Sequence, residues 1–174
     1  MIQHMGARGI YLASEQPYTK GQLICTITDY SVTAEPTYQT IQVGPHQHIE
    51  NFGVLAYLNH SCHPNVIVDT VHLAVYAAQD IRPGDELTFF YPSTEWDMAR
   101  PFVCLCDAPE CIRLVAGARF LSVDMLSRYY INPHICAMMS AALQPGMIAS
   151  VDPIAAFFQQ APSHETAAFE RLYG

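Results

Sequence analysis

The chain contains 174 residues, of which 8 are Lys or Arg and 16 are Asp or Glu, so its net charge is −8. This length allows one domain with a real core, or one domain plus a small appendage, and argues against two full domains. Because hydrophobic residues make up 51% and charged residues 14% of the sequence, we expect a globular rather than a disordered chain. The acidic balance argues against direct nucleic-acid binding and favours a cationic substrate, or it serves only to keep the chain soluble.

The sequence shows neither a basic and apolar leader nor an uninterrupted stretch of about 18 apolar residues. These features predict an intracellular protein without membrane association, in the cytoplasm or, in a eukaryote, in the nucleus. In such a reducing compartment the six cysteines favour metal binding over disulfides.

The segment from about residue 8 to residue 92 is predicted to be mostly β. Short stretches of apolar and β-branched residues alternate there with Gly, Pro and Asn turn signals. A short helix is expected around Gly53 to Leu58. The predicted strands are Ile10 to Ala13, Gln22 to Thr28, Thr40 to Val43, Val66 to Val68, Leu73 to Ala77 and Leu87 to Phe90.

The part of the chain that follows Cys111 is predicted to be helical. Leu121, Met125 and Tyr129 recur at a helical spacing and predict one helix there.

Two more helices are expected near the end of the sequence. Asp152 followed by Pro153 predicts the start of one, which must end before Pro162. Ser163 predicts the start of another, ending near Gly174. Since their aromatic faces need burial, these helices would pack on the β body or form a homodimer with a second copy.

Three cysteines follow a spacing typical of zinc sites. Cys104, Cys106 and Cys111 form a C-x-C-x4-C pattern, and three thiolates leave a tetrahedral zinc one ligand short. The alternative is that they are buried free thiols.

Together, three segments in this order resemble the SET domain, whose best-known members transfer a methyl group from S-adenosylmethionine to a lysine side chain. They are the run Leu58-Asn59-His60-Ser61-Cys62-His63-Pro64-Asn65, the run Glu86-Leu87-Thr88-Phe89-Phe90-Tyr91, and the cysteine pattern. The resemblance covers roughly residues 7 to 115. It implies a mostly β SET-domain fold of several small sheets with a pseudoknot-like crossing, plus a C-terminal helical extension. The SET core would span residues 1–100, a post-SET zinc-binding segment residues 101–118, and the helical extension residues 119–174.

The resemblance also implies two bound groups. In SET proteins with this cysteine pattern, the fourth zinc ligand matches Cys62, so a structural Zn²⁺ would tie the segment after Tyr91 to the active-site run. The residues that would hold it are Cys62, Cys104, Cys106 and Cys111. S-adenosylmethionine would lie against the residues that match the family's cofactor site: Arg8, Gly9, Asn59, His60 and Tyr91.

Tyr91 matches the family's catalytic tyrosine, which lies beside the transferring methyl group. The resemblance implies a substrate channel beside it, lined by Tyr57, Phe89 and Phe90, whose apolar surroundings favour a neutral amine. A Phe at position 89 is similar to members that add more than one methyl group. Phe90 and Pro92 replace a common Asp and a frequent Gly, so the polar groups that usually hold a peptide are reduced.

The leading functional hypothesis is therefore an S-adenosylmethionine-dependent N-methyltransferase that acts on the lysine side chain of a protein. One alternative is a SET-like enzyme that acts on a small molecule in a biosynthetic pathway. Another is a zinc-stapled binding module without catalytic activity.

Overall fold

A computed structural model describes residues 1–6 and 9–143 of the chain. Short strands dominate this part, which confirms the prediction of a mostly β fold made of several small sheets. The strands are β1 Ile2–Gly6, β2 Gly9–Ala13, β3 Leu23–Thr26, β4 Ser31–Thr33, β5 Ile41–Gly44, β6 Gln47–Glu50, β7 Asn59–His60, β8 Val66–Asp69, β9 Ala74–Ala77, β10 Thr88–Phe89, β11 Phe102–Val103 and β12 Leu114–Val115. Six of them lie within or close to the predicted segments, whereas β1, β4, β6, β7, β11 and β12 were not predicted.

The strands pair in five small sheets. Two are antiparallel pairs, β1 with β2 and β11 with β12, and two have three strands, in the orders β3-β9-β8 and β4-β6-β5. In β8 the side chains alternate, because Val66 and Val68 are buried while Ile67 and Asp69 are partly exposed. This period of two turns one face of the sheet toward the main core.

The fifth sheet brings together two segments of the SET-like pattern, Leu58 to Asn65 and Glu86 to Tyr91. We call them the two active-site runs. Strands β7 and β10 pair in parallel, with Asn59 opposite Thr88 and His60 opposite Phe89. Asn65 fixes this pairing, since its Oδ1 accepts from the Thr88 amide at 2.8 Å and its Nδ2 donates to the Glu86 carbonyl at 2.8 Å. The crossing that the resemblance implied is therefore held by backbone and side-chain hydrogen bonds.

Between β6 and β7 the chain forms a 3-10 helix over Gly53–Tyr57, as predicted. The prediction of one helix through Leu121, Met125 and Tyr129 was wrong in its extent. A four-residue helix, α1 Val123–Leu126, is followed by an irregular segment and by α2 Pro133–Ala142.

Pro133 explains where α2 begins. A proline restricts the preceding residue to extended backbone, and Asn132 has φ −66° and ψ 148°. Pro133 itself suits the first helical position, so α2 begins there. The two helices expected beyond Asp152 lie outside the described residues. In the part of the chain that the structure describes, no helix has the length and apolar character needed to cross a membrane.

Asn132 attaches this C-terminal segment to the β body. The side chain is fully buried, and its Nδ2 donates to the carbonyl oxygens of Val68 and Ser93, both at 2.9 Å. Its Oδ1 accepts from the amide and the hydroxyl of Thr70, at 2.9 and 3.0 Å. A buried amide with all of these bonds satisfied ties α2 to β8 and to the residues that follow Tyr91.

Candidate active site

The four cysteines of the predicted zinc site come together. The sulfur atoms of Cys62, Cys104, Cys106 and Cys111 all lie within 4.8 Å of one another. Cys62 Sγ is 3.9 Å from Cys104 Sγ, close to the roughly 3.8 Å that tetrahedral zinc with 2.3 Å bonds to sulfur requires. The donor set and its spacing thus fit a structural Zn²⁺.

His60 connects this cysteine cluster to Tyr91. The amide of Tyr91 donates to His60 Nδ1 at 3.2 Å, so Nε2 carries the ring proton and donates to Cys62 Sγ at 3.3 Å. Burial lowers the pKa of His60 to about 3, which keeps the ring neutral. Such a donor to a ligating thiolate is typical of the groups that orient metal ligands.

Tyr91 lies two residues after β10 and begins a short 3-10 helix, Tyr91–Ser93. Its hydroxyl donates to the Leu58 carbonyl at 2.9 Å, and its ring lies 4.7 Å from that of Phe89. Burial, with the nearby charges of Glu95 and Glu86, raises the pKa of Tyr91 far above its usual range. The phenol therefore stays protonated, and its oxygen keeps the capacity to accept a hydrogen bond.

Two cavities meet at Tyr91, and Phe102 lines both of them. One, of about 670 Å³, is bordered by the two active-site runs and by the cysteine segment. Its lining residues are Asn59, His60, Ser61, Glu86, Thr88, Tyr91, Phe102, Val103, Cys104, Leu105 and Cys106. We call it the cofactor-side cavity.

The cofactor-side cavity has a chemistry that fits S-adenosylmethionine. Its volume lies within the roughly 300 to 1,000 Å³ of small-molecule sites. Asn59 Nδ2 donates to Glu86 Oε1 at 2.9 Å and to the Ile10 carbonyl at 3.1 Å, while Asn59 Oδ1 has no hydrogen-bond partner among the described residues. Amide and carboxylate oxygens suit a cationic ligand, and the Phe102 ring offers an apolar wall to a base.

The N-terminal part of the predicted cofactor site is only partly described. Gly9 has φ +108°, a conformation that favours glycine, and the hydrogen bond from Asn59 to Ile10 joins its strand to the active-site run. Gly9 does not belong to the lining of the cavity. Arg8 lies outside the described residues.

The second cavity, of about 380 Å³, is also lined by Tyr91, and we call it the acceptor-side cavity. Its lining residues are Thr37, Tyr38, Gln39, Thr40, Ile41, Phe52, Leu55, Ala56, Leu58, Phe89, Tyr91, Glu95, Met98, Ala99, Arg100 and Phe102. Of the three residues predicted to line a channel, Phe89 is placed here. Tyr57 packs against the main core and is not part of the lining.

Phe90 faces another part of the molecule. It is 2% exposed and belongs to a second hydrophobic cluster with Ala118, Leu126 and Ile135. Its ring stacks on that of Tyr129 with 3.7 Å between centroids and 4° between planes. Alternate residues of a strand point to opposite faces, so Phe89 and Phe90 cannot both line one channel.

Three residues of the site were not singled out from the sequence: Glu86, Glu95 and Phe102. Glu86 lies within the second active-site run, and this position could have identified it as a site residue. Glu95 follows Tyr91 by four residues, the spacing that places two side chains on one face of a helical turn. Nothing in the local sequence of Phe102 indicates its position between the two cavities.

Comparison with known proteins relates the chain to one family. The family model of the SET domain matches residues 9–92. Methyltransferase flvH of Aspergillus flavus is 45% identical over 118 residues, which span 66% of this chain and 66% of that protein. The histone-lysine N-methyltransferase of Candida albicans specific for H3 lysine 36 is 34% identical over 67 residues, 35% of this chain and 8% of that protein.

A solved structure has the same fold. The crystal structure of KRYPTONITE in complex with mCHG DNA and SAH has a TM-score of 0.50 and 24% identity, and the match covers 63% of this chain and 27% of that one. The chain belongs to the SET-domain family, as the family model and the alignment with flvH show. It spans less than two thirds of the length of each of these relatives.

Proposed function

We propose that this chain is an S-adenosylmethionine-dependent N-methyltransferase. The observation that carries this proposal is the position of Tyr91 between two cavities, one suited to the cofactor and one suited to an acceptor. The methyltransferases among its relatives support the reaction class. When bound, S-adenosylmethionine supplies an activated methyl group on a sulfonium.

In this proposal the chain holds an acceptor nitrogen in line for the transfer. The Tyr91 hydroxyl donates its hydrogen bond to the Leu58 carbonyl, so its oxygen is free to accept a hydrogen bond from the acceptor N–H. That bond would turn the nitrogen lone pair toward the cofactor side. The Phe89 ring and the apolar wall of Leu55 and Ile41 exclude water and favour the neutral amine.

We also assign zinc ligands and cofactor-binding residues in this proposal. Cys62, Cys104, Cys106 and Cys111 would hold a structural zinc that fixes one wall of the cofactor-side cavity, since Cys104 and Cys106 line it. Asn59, Glu86 and the backbone of His60 would bind the cofactor. We further propose that residues 1–100, 101–118 and 119–174 act as SET core, zinc segment and helical extension.

A lysine side chain of a protein is the leading acceptor, because relatives of this family are named histone-lysine methyltransferases and the chain is acidic. A small-molecule amine is the second candidate, since the volume of the acceptor-side cavity is that of a small-ligand site. In addition, the relative that aligns with 66% of the chain is named only as a methyltransferase.

The experiment that tests this function uses the purified zinc-loaded chain. Calorimetry with S-adenosylhomocysteine measures cofactor binding, and labelled S-adenosylmethionine measures transfer to histone peptides and to a panel of small alkylamines. Label in peptides supports the protein substrate, and label only in small amines supports the second candidate. Binding without any transfer indicates a non-catalytic module, and no binding contradicts the proposal.

A further inference from the structure

Glu95 shares a wall of the acceptor-side cavity with Tyr91. The amide of Glu95 donates to the Tyr91 carbonyl at 3.0 Å, an i to i+4 bond that makes one helical turn. Side chains four residues apart on such a turn lie on the same face, with Cβ atoms roughly 5–6 Å apart. This spacing agrees with the observation that both residues line the acceptor-side cavity.

The carboxyl group of Glu95 is fixed by one of its two oxygens. Oε1 accepts from the Gln42 amide at 2.8 Å and from Thr94 Oγ1 at 3.1 Å. The residue is 8% exposed, and Oε2 has no hydrogen-bond partner in residues 1–6 and 9–143. Oε2 is not fully buried, and Glu95 belongs to the lining of the acceptor-side cavity.

The described residues provide no cation for this carboxyl group. No Lys, Arg or His nitrogen of residues 1–6 and 9–143 forms an ion pair with Glu95. Burial therefore raises the pKa of Glu95 to about 7. A buried acid that faces a cavity without a partner is suited to an occupant that brings a positive charge.

We propose that Glu95 binds the ammonium form of the acceptor amine through Oε2 and takes one proton from it before methyl transfer. The electron pair of the broken N–H bond stays on nitrogen, and the proton forms an O–H bond on Oε2. Both charges are thereby cancelled, and a neutral amine is left beside Tyr91. This inference rests on the proposed function and narrows its substrate class to alkylamines that are cationic in water.

Other titratable groups around the site do not replace Glu95 in this role. Among the residues that line the acceptor-side cavity they are Tyr38, Tyr91 and Arg100. Arg100 is exposed at the rim, with its guanidinium 5.6 Å from the centre of the Tyr38 ring, and Tyr91 stays protonated. Behind Thr94, His134 Nε2 lies 2.8 Å from the Thr94 carbonyl, outside the lining.

The test uses n-butylamine and its uncharged counterpart 1-butanol as probes of the full zinc-loaded chain with S-adenosylhomocysteine. Binding is measured by NMR titration at neutral pH for the wild type, Glu95→Gln and Glu95→Asp. The Gln variant keeps the oxygen that accepts from Gln42 and removes the charge, and the Asp variant keeps the charge. The matched control is Glu35→Gln, because Glu35 is exposed and outside the cavity lining.

We expect the wild type and Glu35→Gln to bind butylamine at least tenfold more tightly than butanol. Glu95→Gln should lose this preference, and Glu95→Asp should keep part of it. In the wild type, the 13C signal of the Glu95 carboxyl should move when butylamine is added, a readout that needs no substitution.

An unchanged preference in Glu95→Gln overturns the inference, and so does a Glu95 signal that butylamine leaves unmoved or a wild type that binds no butylamine. None of these three outcomes contradicts the proposed function if the wild type still binds S-adenosylhomocysteine. Failure of that binding instead contradicts the proposed function itself.

Discussion

The backbone amide of Tyr91 donates to His60 Nδ1 at 3.2 Å, and the opposite nitrogen of the same ring donates to Cys62 Sγ at 3.3 Å. One neutral imidazole thus joins the tyrosine between the two cavities to a sulfur of the cysteine cluster. Because burial holds the pKa of His60 at about 3, this connection persists over the whole neutral range. The position of Tyr91 is therefore coupled to the cysteine cluster.

Replacing His60 by Leu should weaken this coupling. The Tyr91 amide loses its acceptor and Cys62 loses a donor, so we expect the free energy of unfolding to fall by about 1–3 kcal/mol. Thermal unfolding measures the loss, and calorimetry with S-adenosylhomocysteine should show weaker binding. His63→Leu is the control, since His63 is exposed in the same run, and an equal effect of both substitutions would contradict the coupling.

Removal of the metal should open the cofactor-side cavity, whose wall contains Cys104 and Cys106. We expect one zinc per chain by elemental analysis, and we expect chelation or Cys104→Ser to lower the unfolding temperature and abolish binding of S-adenosylhomocysteine. Cys136→Ser is the control because Cys136 is exposed and outside the cluster. A chelated protein that still binds S-adenosylhomocysteine with its original affinity would refute the structural role of zinc.

Tyr91→Phe should separate transfer from cofactor binding. The variant loses the hydroxyl that would orient the acceptor, so we expect methyl transfer to fall by roughly 100-fold or more, with binding of S-adenosylhomocysteine nearly unchanged. Transfer of label to the acceptor identified for the wild type measures this rate. The exposed Tyr30→Phe should leave transfer unchanged, and full activity of Tyr91→Phe would exclude the proposed role.

Phe90→Asp introduces the residue that is common at this position in the family. Here it should destabilise the protein by about 3 kcal/mol or more, since a charge would replace an aromatic ring that stacks on Tyr129 in a closed cluster. Denaturant unfolding measures this change. Phe90→Leu is the control and should lower the free energy of unfolding less, because the side chain stays apolar. If Phe90→Asp is as stable as the wild type, the cluster contributes little to stability.

Glu95 should make the stability depend on pH. Its folded pKa of about 7 lies above the ordinary value of 4.5, so the folded state binds the proton more tightly than the unfolded state between these values. The free energy of unfolding should therefore fall as pH rises from about 4.5 through 7, by roughly 3 kcal/mol at most, and level off above.

In Glu95→Gln the free energy of unfolding should not show this decline with rising pH. The difference between the pH profiles of the wild type and the variant therefore measures the contribution of Glu95. Burial lowers the pKa of His48 and His134, so these groups act in the opposite direction and lose stability as pH falls below about 6.5. They are present in both proteins, and their contribution cancels in the comparison. Identical pH profiles of the two proteins would show that the pKa of Glu95 is not raised in the folded state.

Much of the β body could be predicted from local sequence. Val66, Ile67 and Val68 of strand β8 are β-branched, which predicts a strand, and Pro92 and Pro133 each lie in the first turn of a helical segment because proline fixes φ. The helix predicted through Leu121 and Tyr129 was too long, because after Ser127 the backbone hydrogen bonds change from the i to i+4 spacing to the i to i+3 spacing of tight turns.

The sequence by itself determined the family resemblance, the spacing of the zinc ligands and the two runs that meet at Tyr91, since these depend on residue types at fixed intervals. Only the tertiary structure decided that Phe90 faces Tyr129 instead of the acceptor, that Asn132 binds the β body, and that Glu95 lines a cavity. These contacts join residues far apart in sequence, or depend on which face of a turn meets empty space. Local propensity has no information on either, because both are set by the packing of the whole chain.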